Sequence, residues 1–199
     1  MKLMNKGKNF SGNNLGQRKK SDFYETPYSL TYQLLKVEEF MSPVLEPAAG
    51  NGAIVKVLEK AGYQVVSYDK YQGEDRKDFL KERKRYASIV TNPPYSQSFE
   101  FIQMAKKTSY KFAFLLPLSY LHGQERYQNI YQDLDFPLTK VYVFTRYPML
   151  TDKLRKDGKY RTGMMVYAWF VWERVDMYPR EPIIRWLDNN RFVLKKGDV

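Results

Sequence analysis

Residues 91–97 read TNPPYSQ, an amide, two prolines and a phenol in succession directly after the apolar run ASIV. A strand usually gives way to a turn rich in Gly or Asp; two prolines instead lock two successive φ angles and hold the backbone rigid and extended. Around a flat amino group these residue types have complementary uses. The side-chain oxygen of Asn92 and the carbonyl of Pro93 can each accept a hydrogen bond from one NH2, Pro93 and Pro94 hold those acceptors still, and Tyr95 offers a ring face for stacking. Taken alone, the peptide also reads as an ordinary rigid turn.

Three further stretches carry candidate ligand chemistry. In LEPAAGNG (45–52), small residues let a backbone approach a ligand, and the helix that follows presents free NH groups and a positive dipole end. Only Gly50 and Gly52 fit the dinucleotide fingerprint GxGxxG, so a pyrophosphate site is weakly supported, and a tight strand-to-helix turn explains the stretch equally well. Asp69 ends the next apolar run 17 residues after Gly52, where an acidic side chain in a βαβ nucleotide site accepts from ribose hydroxyls. Asp78, in KDFLK, is either a turn residue or an acceptor for an adenine amino group with Phe79 packed on the ring.

These residues need a scaffold, and hydrophobic periodicity supplies its outline. Thr26 can cap a helix that starts at Pro27 and carries Leu30, Leu34, Leu35 and Val37. PVLEP predicts a short buried strand, and the stretch after it a helix with Ile54, Val55, Val57 and Leu58 inward and Gly62 near its end. QVVSYD and RYASIVTN predict strands, SFEFIQMAKK a helix through Phe99, Ile102 and Ala105, YKFAFLLPL a strand, and Leu121–Asp133 a helix. KVYVFTR and GMMVYAWFVWER give two last strands joined by a polar loop. The alternation argues for an α/β domain, a mostly parallel sheet covered by helices with a C-terminal antiparallel hairpin. TNPPY and LEPAAGNG both lie at strand carboxyl ends, where such sheets bind ligands.

Composition sets limits. The 199 residues suit one domain, and 33 Lys plus Arg against 22 Asp plus Glu give a formal charge of +11, which favours a polyanionic partner. With no cysteine there is no disulfide, thiolate zinc site or cysteine nucleophile, which excludes covalent cytosine C5 chemistry. No metal is expected at the site. No apolar stretch reaches membrane-spanning length and no export signal is visible, so a cytoplasmic protein without a membrane partner is expected. Residues 1–20 carry six basic and no acidic side chains and read as a flexible arm, either simply solvated or contacting nucleic acid.

In order along the chain, YETP, VLEPAAGNG, SYDK, KDFL and TNPPY resemble the amino-methylating S-adenosylmethionine-dependent methyltransferases, in the gamma arrangement of the DNA adenine-N6 enzymes. The resemblance spans about residues 22 to 172, and GQER and YAWFVWER are similar to small stand-alone methyltransferases of bacteriophages. It implies a Rossmann-like class I methyltransferase fold over residues 21–199, S-adenosylmethionine as cofactor, and transfer of its methyl group to adenine N6 in DNA with the base flipped out. It further implies that Thr26 and Pro27 lie near the methionine end of the cofactor, that Glu46, Pro47, Ala48, Gly50 and Gly52 line its centre, and that Asp69 holds the ribose and Asp78 with Phe79 the adenine. Asn92, Pro93, Pro94 and Tyr95 would form the catalytic pocket. Phe170 is the expected second ring against a flipped base, although any aromatic of YAWFVW can equally belong to the core.

RNA adenine and cytosine N4 present similar amines and remain alternatives, as does a cofactor- or nucleic-acid-binding subunit that needs a partner for turnover. His122 reads as a surface or helix-start residue. Fewer than thirty residues follow the hairpin, so no large target-recognition domain is expected and specificity would be short, in keeping with a role in restriction-modification or gene control. The connector TDKLRKDGKYRTG holds Lys153, Arg155, Lys156, Lys159 and Arg161, read either as a solvated loop or as phosphate contacts.

Overall fold

The computed structural model describes residues 26–145, 165–174 and 181–188. The apolar runs become strands β1 (Val44–Glu46), β2 (Val65–Ser67), β3 (Tyr86–Thr91), β4 (Ser109–Pro117), β5 (Leu138–Phe144), β6 (Tyr167–Glu173) and β7 (Ile183–Leu187). They form one sheet in the order β2-β1-β3-β4-β6-β5-β7. β6 is antiparallel to both neighbours; every other pairing is parallel. The expected mostly parallel sheet and closing hairpin are both present. β7 was not expected: its IIRWL sequence lies at the sheet edge with Trp186 69% exposed, so no buried-face pattern announces it.

Alternation along the central strands supplies a core on each face. Phe112, Phe114 and Leu116 of β4 point to one side with Phe101, Ile102 and Ala105 of helix α3 (Ser98–Thr108). Ala113 and Leu115 point to the other, with Leu30 and Leu34 of α1 (Tyr28–Leu35) and Ile54 and Leu58 of α2 (Ala53–Lys60). β6 is buried on both faces, which accounts for its unbroken aromatic and aliphatic run.

Local chemistry sets the helix ends, with some departures from expectation. α2 closes on a Schellman arrangement: Gly62, at φ 88°, donates from its N–H to the Glu59 carbonyl while Tyr63 N donates to that of Leu58. Pro27, expected as the first helical residue, is the N-cap of α1, and Thr26 caps nothing because its hydroxyl is engaged elsewhere. Val37 lies beyond the helix and is exposed. The expected helix over Leu121–Asp133 is shorter, an α-helical turn at Gln124–Arg126 running into a π-helical turn at Tyr127–Tyr131.

At the sheet edge opposite the ligand end, Glu38 is buried and takes ion pairs at 2.7 Å from both Lys111 Nζ of β4 and Lys140 Nζ of β5, plus a hydrogen bond from the Tyr142 hydroxyl. Burial opposes ionisation of this carboxyl, but the two lysines and the phenol outweigh it and hold its pKa below the usual range. Removing one member of such a cluster strands the others in low dielectric. Glu38→Ala is therefore expected to cost about 3–5 kcal/mol in urea unfolding; a loss under about 1 kcal/mol would show the cluster to be solvated.

Candidate active site

At the carboxyl edge of the sheet the loops after β1, β2 and β3 converge, and one buried carboxylic group connects two of them. Glu46, the last residue of β1, has no exposed surface. Its Oε1 accepts from Ala48 N at 2.9 Å and from Thr91 Oγ1 at 2.6 Å, joining the glycine-containing turn to the end of β3. Oε2 is buried and has no hydrogen-bond partner among the described residues. Desolvation, reinforced by the Asp69 charge, pushes this carboxyl up to about 8 against the pull of its two hydrogen bonds.

The turn itself is shaped by left-handed backbone. Gly50 has φ 51° and Gly52, the N-cap of α2, φ 75°. A Cβ at Gly52 would meet nothing within 4 Å, so glycine is required there by conformation rather than by close approach. Asp69 Oδ2 accepts from Gly50 N at 3.0 Å, and Oδ1 accepts from Tyr71 N at 2.7 Å and Gln72 N at 3.0 Å. The strand-end acid thus braces the turn and folds its own loop, with a lone pair remaining on Oδ2 for a hydroxyl donor.

Asp78 caps the short 3₁₀ turn Phe79–Lys81 by accepting from Leu80 N at 3.1 Å, and pairs with Lys70 Nζ at 2.9 Å. Burial works against its charge, yet Lys70 and the Leu80 amide prevail and its pKa is lowered. Phe79 departs from expectation: it is 1% exposed and packs on Phe101 with ring centroids 5.0 Å apart, so it offers no open face to a base. The partly buried Leu80 that follows it packs on the same core.

The TNPPY segment follows β3. Asn92 Nδ2 donates to Thr26 Oγ1 at 3.0 Å, which fixes the amide plane and explains why Thr26 does not cap α1. The other end of that amide, Oδ1, is shielded from solvent and accepts nothing from the described residues. No described group donates to the Pro93 carbonyl, whereas that of Pro94 accepts from Gln97 N and Ser98 Oγ. Two acceptors on successive residues are thus left open, and rigid backbone holds both.

Tyr95 lies beside Tyr167, ring centroids 5.8 Å apart and tilted by 32°. Phe170, the expected second ring, is fully buried, stacked on Trp172 at 6.0 Å and edge-on to Tyr120 at 6.3 Å. Phe170 therefore belongs to the core. Tyr167 was missed, and topology could have found it: β6 runs antiparallel, so its first residue, opposite Pro117, is the one at the ligand edge. Thr91 was also missed, although a hydroxyl ending an apolar strand must find a buried partner. His122 is exposed, as expected, and its carbonyl accepts from Arg126. Lys153, Arg155, Lys156, Lys159, Arg161 and the basic arm lie outside the described residues.

No family model and no curated protein matches the sequence. Solved structures do match in three dimensions. The modification subunit of a candidate type I restriction enzyme from Vibrio vulnificus YJ016 superposes with TM-score 0.54 at 13% identity, over 83% of this chain and 47% of the other. The M protein of the type I restriction enzyme EcoKI superposes with TM-score 0.53 at 14% identity, over 87% of this chain and 50% of the other. The fold is that of the class I methyltransferases. The chain spans about half the length of both of these proteins. Magnesium protoporphyrin IX methyltransferase from Synechocystis PCC 6803, solved with bound S-adenosylmethionine, is also similar, with TM-score 0.47 at 12% identity over 73% of this chain and 76% of the other.

The Glu46 environment has a consequence for stability. Below about pH 4.5 native and unfolded chains both carry its proton, so the native state suffers no penalty. Between about 4.5 and 8 only the native chain keeps it, and stability falls by about 1.4 kcal/mol per pH unit. Urea unfolding from pH 5 to 8 is expected to show this decline in the parent protein and a flatter profile in Glu46→Gln; parallel profiles would assign the pH dependence to other groups.

Proposed function

We propose that this protein transfers a methyl group from S-adenosylmethionine to the exocyclic N6 amine of adenine in DNA. The observation that carries the reading is the Asn92 amide: Nδ2 is tied to Thr26, while Oδ1 is shielded and open beside the open carbonyl of Pro93. Two acceptors held on rigid backbone suit a primary amine on a flat ring, which has two N–H bonds to give. The ordered motifs, the fold and the excess of positive charge support a nucleic-acid substrate, and the two type I restriction proteins of similar fold favour DNA.

The residues at the edge fit the cofactor. Asp69 and Asp78 supply acceptors for hydroxyl and amino groups, the Gly50–Gly52 turn leads into the α2 amino end, and Glu46 places a buried carboxyl beside that turn. When bound, S-adenosylmethionine supplies an electrophilic methyl group. The chain's own task is then to hold a weak nucleophile and to favour the positive charge that develops on its nitrogen. Asn92 Oδ1 and the Pro93 carbonyl do both by accepting from the amine, and no strong base is required. Thr26 is a positioning residue that keeps the amide from turning.

A flipped base would stack on Tyr95, at an unstacking cost of a few kcal/mol. Tyr167 takes the place expected for Phe170 as the second ring. A base between two rings needs roughly 7 Å, so the observed 5.8 Å separation must open by roughly 1 Å as the base enters. Lys153, Arg155, Lys156, Lys159 and Arg161 would contact phosphates.

Transfer of labelled methyl groups to adenine-containing duplexes by the purified full chain tests this reading. Asn92→Ala is expected to lower kcat by at least about 100-fold, by analogy with loss of one charge-stabilising group, with cofactor affinity unchanged. Thr26→Val removes one hydrogen bond and should lower kcat about five-fold. Full activity in Asn92→Ala would overturn the role given to it.

A further inference from the structure

We infer that Glu46 is a proton-exchanging element of the site: it is a neutral carboxylic acid in the free protein and releases its proton to solvent when a positively charged ligand group docks beside it. The inference rests on the cofactor reading above, since S-adenosylmethionine carries an ammonium and a sulfonium.

The geometry argues for a neutral acid in the free protein. Glu46 has no exposed surface, and both hydrogen bonds it accepts fall on Oε1, from Ala48 N and Thr91 Oγ1. A carboxylate would leave a charged, desolvated Oε2 with no donor among the described residues, whereas the acid needs to keep only a proton there. Among the described residues the charged group that acts on Glu46 is Asp69, two residues beyond β2, and it adds negative charge. Thr91 of β3 and the Ala48 amide of the turn contribute neutral donors, and among the described residues no lysine or arginine engages it. Lys70, next to Asp69, is paired with Asp78.

A cation entering this pocket changes the balance. At an effective dielectric of about 20, one positive charge roughly 4 Å from a carboxyl raises its acidity about a thousandfold. With burial holding the free protein's Glu46 near 8, that suffices to ionise it in the complex at neutral pH. The O–H bond of Oε2 breaks, the electron pair stays on the carboxylate, and the proton leaves to the buffer. The bound cation then faces a full negative charge that the free protein does not expose to a neutral competitor of similar shape.

Calorimetric titration of the full chain with S-adenosylmethionine, in phosphate and in Tris at the same pH, reads the proton directly through the difference in buffer ionisation heats. We expect about 0.9 proton released per molecule bound at pH 7, and a steep decline towards pH 9, as follows from a group near 8. Glu46→Gln keeps an acceptor for Ala48 N and Thr91 Oγ1 and carries an N–H where the acid carries O–H. It is expected to bind without net proton release and to lose the tenfold-per-unit fall in affinity below pH 8. Binding with equal heats in both buffers overturns the role of Glu46 and leaves the cofactor reading standing. Equal proton release by the parent and Glu46→Gln does the same. Absence of any binding heat in the parent overturns both, and the two-buffer comparison on the parent decides the matter even if the variant does not fold.

Discussion

A single oxygen, Glu46 Oε1, receives the Ala48 amide from the turn after β1 and the Thr91 hydroxyl from the end of β3. These are the two loops on which the proposed chemistry depends, and the next residue after Thr91 is Asn92. Because β1 and β3 are neighbours in the sheet, this bridge converts strand pairing into a fixed relation between the turn that would hold the cofactor and the amide that would hold the amine. Asp69 repeats the device on the other side by gripping Gly50 from the end of β2. Carboxyl groups at strand ends, the buried Glu46 and the partly buried Asp69, thus brace this turn.

The support for this edge comes from elsewhere in the fold. α1 is fixed on β6 by Trp169 Nε1, which donates to the Leu30 carbonyl at 3.0 Å, and the segment after α1 is fixed by Glu38 to β4 and β5. Thr26 precedes α1, so these contacts decide where its hydroxyl meets Asn92. At the far edge Lys111 and Lys140 satisfy the buried Glu38, whereas at the carboxyl edge Glu46 Oε2 and Asn92 Oδ1 are buried without a hydrogen-bond partner among the described residues. Unpaired buried polar atoms cost stability, and Glu46 Oε2 and Asn92 Oδ1 lie where three loops converge, a place at which a ligand could complete the hydrogen bonding.

Much of this was legible in the sequence because period-2 and period-3.6 patterns are strong where strands and helices face a core. β3, β4, α2 and α3 follow them closely, and TNPPY and LEPAAGNG fall at the carboxyl ends where they were expected. The misreadings share a cause: residue type does not reveal direction or partner. Phe79 and Phe170 are aromatic and lie near the motifs, but strand alternation turns Phe170 into the core and the 3₁₀ turn directs Phe79 onto Phe101. Tyr167 was reachable only through strand order, and the Thr26–Asn92 bond spans 66 positions, beyond any local pattern. β7 carries no alternating burial because both its faces are largely exposed.

The central claim is that the amide after β3 directs methyl transfer onto an adenine amine. Mass spectrometry of nucleosides from cells that express the parent protein or Asn92→Ala, with DNA and RNA digested separately, tests it most directly. N6-methyladenine rising in DNA with the parent alone is the predicted result. No new methylated nucleoside with the parent, or the same mark with Asn92→Ala, would contradict it.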